Sequence, residues 1–254
     1  MKIVFYKIQC LTNLHVGAGE VNYNIIDNEV EKDAVSGLPV IHASGIKGAL
    51  REAFSNVEKY KGQIDTIFGK SGEGDEMGGG THKFLDATLI SRPMRVNGSD
   101  SVSSVSVVTV ASVNGFLEKL NGFGANNFDI DKIDDIEFGN NEFLTTYKNI
   151  SIECENTGLI TDNAKNQLDK LVSVIGNNYA VVKNFDDYEL PVTARNCLDE
   201  KRRNLWYEEV VPHGSVLYFG VIYPDNAPEL NFPDVVQFGG NASIGCGYTK
   251  ITKL

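Results

Sequence analysis

No run of about 18 apolar residues occurs in this 254-residue chain, so nothing in it reads as a membrane-spanning helix. The N-terminus MKIVFYKIQCLTNLHVG alternates where a secretory leader would carry an unbroken apolar block, and a cytoplasmic protein without a membrane partner is expected. Cysteine is scarce. Cys10, Cys154, Cys197 and Cys246 stand far apart with no C-x-x-C pair, which disfavours a zinc ribbon or a dense disulfide framework and leaves free thiols as the expectation. Basic charge is short as well: 23 basic against 34 acidic side chains leave a net charge of −11. Nucleic-acid binding over the whole surface is thereby disfavoured, and any such binding needs a local patch. Internal repeats, low-complexity tracts and an evident linker are missing too. With 42% hydrophobic and 22% charged residues, the chain can bury the core of one domain carrying insertions.

The apolar pattern sets the elements. Residues 2–12 place Ile3 and Phe5 on one side and Val4, Tyr6, Ile8 and Cys10 on the other, as in a strand covered on both faces. A turn-rich stretch around His15, Gly17 and Gly19 and a polar loop ending at Asp27 follow. From Ser44, ASGIKGALREAF reads as a helix with Ser44 as N-cap and Ile46, Leu50 and Phe54 as its buried stripe. The glycine-dense residues 70–81 are expected to form a mobile loop. A strand over 84–96, broken by Pro93, has residues 106–110 as its candidate neighbour. A short helix over 112–121 leads into an acidic run, 129–137, read as part of a solvated insertion at about 122–160. A second helix spans 161–176 with Thr161 or Asp162 as cap and Gly176 as terminator. Residues 192–211 read as a long hairpin with Trp206 in the core, and 215–223 as the last strand before a glycine-rich terminus. The order suggests an α+β fold, ferredoxin-like or RRM-like, with large insertions.

Few residues declare chemistry by type alone. Gly239, Gly240, Gly245 and Gly247 offer backbone N–H groups that a phosphate can approach, although, taken alone, a tight turn tucking the tail against a sheet is the better account. No Lys-Ser/Thr follows, as a Walker loop requires, and no helix follows, as a Rossmann fingerprint requires. Lys47 and Arg51, four apart near a helix start, either face phosphate or form a solvated face beside Glu52. Lys201, Arg202 and Arg203 at the hairpin tip, flanked by Leu198, Leu205 and Trp206, suit a wedge that enters a nucleic-acid duplex or an ordinary exposed turn. Asp27 is a lone carboxylate and His15 a lone imidazole. Neither belongs to a triad, a metal pair or a carboxylate dyad, so residue types do not establish an enzyme.

Order and spacing say more. LTNLHVGAGE (11–20), NIIDNEVEKD (24–33), GLPVIHASGIKGALREAF (37–54), IFG (67–69), FLDATLISRPMRV (84–96), VVTV (107–110), LWYEEVVPHGSVLYFG (205–220) and FGGNASIGCGY (238–248) run nearly end to end. Together they resemble the RAMP superfamily and, within it, the repeated backbone subunit of the type III-B (Cmr) CRISPR effector complex. The resemblance implies a single RAMP domain with an RRM-like palm that stacks head to tail along a guide RNA. It also implies a thumb hairpin, 192–211, that crosses the guide–target duplex with Arg195, Lys201, Arg202 and Arg203 close to it. His15, Lys47 and Arg51 would lie near the guide backbone, with the glycine-rich end as the superfamily's hallmark. Asp27 takes the position of the family's slicing residue and would hold a divalent cation, magnesium by expectation, or else take the hydroxyl proton, the first being favoured because a solvated Asp is a poor base at neutral pH, with Glu208 or Glu209 as assistants. Expected partners are guide RNA, single-stranded target RNA, further copies of the chain and other type III subunits. Two departures stand out: the chain is short and acidic for the type, and the proline that usually follows near the aspartate is missing. The rivals are a noncatalytic RAMP subunit that only binds guide RNA and, from a different class, a small-ligand or nucleotide-binding α+β protein.

Overall fold

The alternating N-terminus becomes a strand, and apolar stripes of period 3.6 become helices, in a computed structural model that describes residues 1–17, 19, 25–70, 78–98, 102–199 and 202–254, with the side chains of 197–199 and 202–203 set aside. In chain order the elements are β1 (Lys2–Cys10), β2 (Val40–Ile41), α1 (Ala43–Ser55), α2 (Ile64–Phe68), β3 (Lys83–Phe84), β4 (Ala87–Asn97), β5 (Ser104–Thr109), α3 (Val110–Gly122), β6 (Phe143–Thr145) and β7 (Ser151–Ile152). There follow β8 (Glu155–Leu159), α4 (Asp162–Asp169), α5 (Val172–Ile175), β9 (Tyr179–Val182), β10 (Val192–Asp199), β11 (Arg202–Glu209), β12 (Val216–Tyr223), β13 (Val236–Gln237) and β14 (Tyr248–Lys253). The fold is mixed α+β and sheet-rich. Packing divides it into two units: Met1–Thr88, Leu190–His213 and Phe219–Lys253 form the first, and Leu89–Glu189 and Gly214–Tyr218, with Leu254, the second.

In the first unit β1 pairs antiparallel with β14, which pairs with β13, and β3 pairs with the end of β12. The final strand is therefore β14, after the glycine-rich segment, and not 215–223 as the sequence suggested; its alternation of Thr249 and Ile251 with exposed polar residues is only six residues long. Val4, Tyr6, Ile8 and Cys10 are buried, whereas on the other face Phe5 is buried but Gln9 is exposed, so β1 is covered on both sides only near its middle. Ile46, Leu50 and Phe54 of α1 are fully buried, each contributing roughly 1.5–3 kcal/mol. Phe54 lies edge-on to Tyr60 at 4.6 Å and to Phe232 at 5.7 Å, and Phe232 lies edge-on to Tyr6 at 4.8 Å, so one aromatic cluster joins helix and strand.

Ser44 is not the cap of α1. The N-cap is His42, whose side chain makes no capping bond, and the Ala43 N–H donates instead to Asp86 Oδ1 at 2.5 Å from 43 residues away. A local motif cannot show such a long-range acceptor. Of the glycine-dense loop, 71–77 lie outside the described residues. Its stem is tight: Gly69 and Gly79 form a bridge, and a Cβ on Gly80 would overlap the Ile67 carbonyl.

In the second unit β5 pairs antiparallel with β4 and parallel with β9, β6 pairs with β9 and β8, and β7 pairs with β8 and β4. Pro93 does not break β4. Its ladder partner Ser106 donates its N–H to Asn178, away from β4, so Pro93 sits in a non-hydrogen-bonded pair and leaves no bond to β5 unmade. Thr109 and Ser112 form a reciprocal capping box that starts α3 earlier than the 112–121 pattern indicated. The helix read over 161–176 is two, α4 and α5, parted at Lys170 and Leu171; Thr161 caps the first by accepting from the Ala164 N–H, and Gly176 (φ +89°) ends the second. The acidic run 129–137 is exposed at most positions but pinned at Ile133, which is buried and held on both backbone polar groups by the Asn114 amide at 2.7 and 3.0 Å.

Candidate nucleic-acid interface and cleavage site

Strands β10 and β11 pair in register from Val192 with Glu209 to Asp199 with Arg202, confirming the hairpin read from the sequence. Lys201 lies outside the described residues, and Arg202 and Arg203 are placed by backbone only, opposite Asp199 and Leu198. The loop after β1 comes to lie beside the hairpin base. Asp27 and Asn28 both donate their N–H groups to the Tyr207 carbonyl at 3.1 Å, and the Glu209 N–H donates to the Asn28 carbonyl at 2.9 Å. The Tyr207 N–H, facing away from β10, donates to Asp27 Oδ2 at 2.8 Å. Asp27 is thus exposed yet held by a charge-assisted bond to a strand backbone, which fixes its direction.

Directly beside it, Glu208 and Glu209 are buried, at 5% and 3% exposure, because donors surround each. Glu209 accepts from the Val30 N–H at 3.0 Å and from Lys32 at 3.1 Å. Glu208 accepts from Arg195 Nε at 2.6 Å, Trp206 Nε1 and Asn241 Nδ2 at 2.9 Å, and Asn28 Nδ2 at 3.4 Å. Burial alone would raise the Glu208 pKa, but the bonds from Trp206 and Arg195, with the charge of Arg195, outweigh it and hold the carboxyl below its ordinary value. Arg195, bound in this pair, is held above its own ordinary value chiefly by that hydrogen bond. Trp206 is half-exposed rather than core: its indole N–H needs Glu208, and that anchor keeps the ring at the hairpin surface.

His15 is buried at 8% exposure, its Nδ1 2.8 Å from the Glu209 carbonyl oxygen. Its own carbonyl accepts the Gly240 N–H at 2.9 Å. Gly239 (φ +74°) and Gly247 (φ +82°) have no room for a Cβ, which would overlap the carbonyls of His15 and Phe238. Those two glycines build the turn, whereas Gly240 and Gly245 meet almost nothing and leave their backbone exposed.

On α1, Arg51 is committed to Asp65 at 2.6 Å and to the Gly69 carbonyl, so it closes the neighbouring loop. Lys47 makes no ion pair among the described residues and lines a cleft of about 270 Å³ with Ser44, Gly79, Gly80, His82 and Lys83. Lys83 and Asn241 were missed from sequence; nothing local marks either, since one lies in a two-residue strand and the other inside a glycine-rich run. The structure therefore gathers Asp27, His15, Arg195 and the glycine turn around the base of β11, and no hydrogen bond joins Lys47 or Arg51 to that group among the described residues.

Known proteins share this fold. Over 99% of its length and 96% of the relative's, the chain is 25% identical to the Cmr endoribonuclease Cmr4 of Pyrococcus furiosus. A type III-B Cmr-beta complex bound to cognate target RNA contains a chain that superposes with a TM-score of 0.78 at 21% identity, covering all of this chain and 97% of that one. Oligomeric Cmr4 from Pyrococcus furiosus superposes with a TM-score of 0.74 at 22% identity, covering 100% and 98%. At these identities the superpositions establish the fold. The RAMP superfamily model matches residues 7–250, and the chain belongs to the RAMP superfamily.

Proposed function

We propose that this chain is the guide-binding backbone subunit of a type III-B (Cmr) effector complex and that it cleaves target RNA paired with the guide at regular intervals. Asp27 carries the reading: an exposed carboxylate aimed by the Tyr207 N–H at the foot of the hairpin, in a chain aligned end to end with a Cmr endoribonuclease. Residues 1–254 act as one RAMP domain, an RRM-like palm with an insertion near 122–160 and a thumb near 192–211. Lys47, with Lys83 beside it, takes guide phosphates in the cleft at the start of α1. Arg195 and the Lys201, Arg202 and Arg203 tip serve the duplex, and the open surface at Gly240 and Gly245, whose N–H groups are taken by the His15 and Ala242 carbonyls, lets the RNA backbone approach closely. His15 acts from beneath by holding the glycine turn. Copies of the chain and the other subunits of the complex complete the assembly.

In the reaction, the hairpin distorts the duplex so that a target 2′-oxygen lines up with the adjacent phosphorus. The O2′–P bond forms as the 2′-hydroxyl gives up its proton to water, and the P–O5′ bond breaks, leaving a 2′,3′-cyclic phosphate and a 5′-oxygen that takes up a proton from water. In this reading Asp27 orients the attacking hydroxyl. Asp27, an exposed carboxylate with hard oxygen donors, is the residue that would hold a magnesium ion. When bound, that ion supplies neutralisation of the charge developing at phosphorus.

The test is cleavage by the assembled complex with Asp27→Asn, whose amide oxygen still accepts the Tyr207 N–H, and with Asp27→Ala, each with and without magnesium. Both variants are expected to lose at least roughly 100-fold in rate while guide and target binding persist. Cleavage at the wild-type rate in Asp27→Asn would move the chain to the noncatalytic reading.

A further inference from the structure

Three stretches of sequence far apart in the chain converge on one carboxylate. Glu208 Oε2 accepts from Arg195 of β10 and from Asn241 of the glycine-rich turn, and Oε1 accepts from Trp206 and from Asn28 of the Asp27 loop. Glu208 also stands between the two residues that hold that loop by backbone, Tyr207 and Glu209. A shift of β11 at this point moves Asp27 with it. Burying a carboxylate is unfavourable unless its oxygens are satisfied, and here donors from three segments satisfy them, so this one group joins all three, whereas the side chains of Asp27, Glu209 and Cys246 join them only in pairs.

We propose that Glu208 is the positioning residue of the cleavage site: it locks the Asp27 loop, the hairpin and the glycine-rich turn into one frame, and Asn241 conveys the placement of the turn to Asp27 through it. The proposal rests on the reading of Asp27 as the cleavage residue. A misplacement of about 1 Å at a reacting group costs roughly 100-fold in rate, which is the scale on which such a frame acts. Asn241 allows a clean perturbation. Its backbone is left-handed (φ +63°), a conformation glycine adopts freely, so Asn241→Gly removes the amide without straining the turn.

The experiment measures single-turnover cleavage at saturating target, target affinity and thermal stability in the assembled complex for Glu208→Gln, Asn241→Gly, the double variant and Asp27→Asn. Glu208→Gln is expected to cleave roughly 10- to 100-fold more slowly with target affinity within about twofold of wild type. Asn241→Gly is expected to lose roughly three- to tenfold in the same rate, and the double variant to be no slower than Glu208→Gln, because one residue acts through the other. Asn241→Gly decides the matter alone if Glu208→Gln does not fold. An unchanged rate, losses that multiply in the double variant, or a rate that falls only in step with affinity and stability would each overturn the proposal. Wild-type cleavage by Asp27→Asn would instead overturn the reading beneath it, whereas an inactive Asp27→Asn beside a fully active Glu208→Gln would remove the positioning role alone.

Discussion

At the scale of single residues, the glycines of the terminal turn are unequal although the sequence presents them alike. Gly239→Ala and Gly247→Ala place a Cβ against backbone in a left-handed conformation and are expected to destabilise by at least about 2 kcal/mol each. Gly245→Ala, at φ +86° but in open space, should cost about 1 kcal/mol. Chemical unfolding of the three variants checks this ranking, and equal losses would mean that turn strain, not the His15 and Phe238 carbonyls, decides. Glu208 gives a pH prediction. Its folded carboxyl titrates below the ordinary value of 4.5, so its contribution is complete above that pH and is lost as the pH falls through the lower, folded value. Acid unfolding of Glu208→Gln should therefore show a shallower fall in stability below about pH 4.5 than wild type. Parallel curves would mean the carboxylate is not holding its donors. The sequence showed that Asp27 was isolated, and it placed Glu208 and Glu209 only as assistants, because their partners, residues 15, 28, 30, 32, 195 and 241, are scattered along the chain.

At the scale of elements, α1 was legible from its stripe, but the roles of its two cations were not. Lys47→Ala should weaken guide binding and lower the salt dependence by about 0.7–0.9 in log–log slope, one phosphate contact. Arg51→Ala should chiefly lower thermal stability, since the guanidinium is spent on Asp65 and the Gly69 carbonyl. Equal loss of salt slope in both would put Arg51 back on the RNA. Asp86→Ala removes the only side-chain acceptor at the α1 N-terminus among the described residues and is expected to cost about 1 kcal/mol in unfolding free energy. The hairpin was legible as two patterned strands around a charged tip. Arg202→Ala with Arg203→Ala should weaken target engagement more than guide retention, and an equal fall in both would end the thumb assignment.

At the scale of the whole molecule, the acidic balance is uneven. Residues 89–189 hold fifteen acidic against eight basic side chains, and the rest of the chain nineteen against fifteen. All of the cations proposed to meet RNA lie in the first unit. Changing Asp131, Asp135 and Glu137 to their amides should leave guide affinity within about twofold at physiological salt, where exposed charges are screened over about 8 Å. A tenfold gain would place that run beside the RNA. By itself the sequence determined the α+β class, the principal helices, the hairpin and the family, because these rest on local period and on the order of motifs. Only the tertiary structure decided that β14 closes on β1, that Pro93 is tolerated within a strand, that Asp86 caps α1 and that one buried glutamate joins loop, hairpin and turn. Each of those depends on hydrogen-bond partners more than ten residues apart in sequence, and no local pattern encodes a partner at that distance.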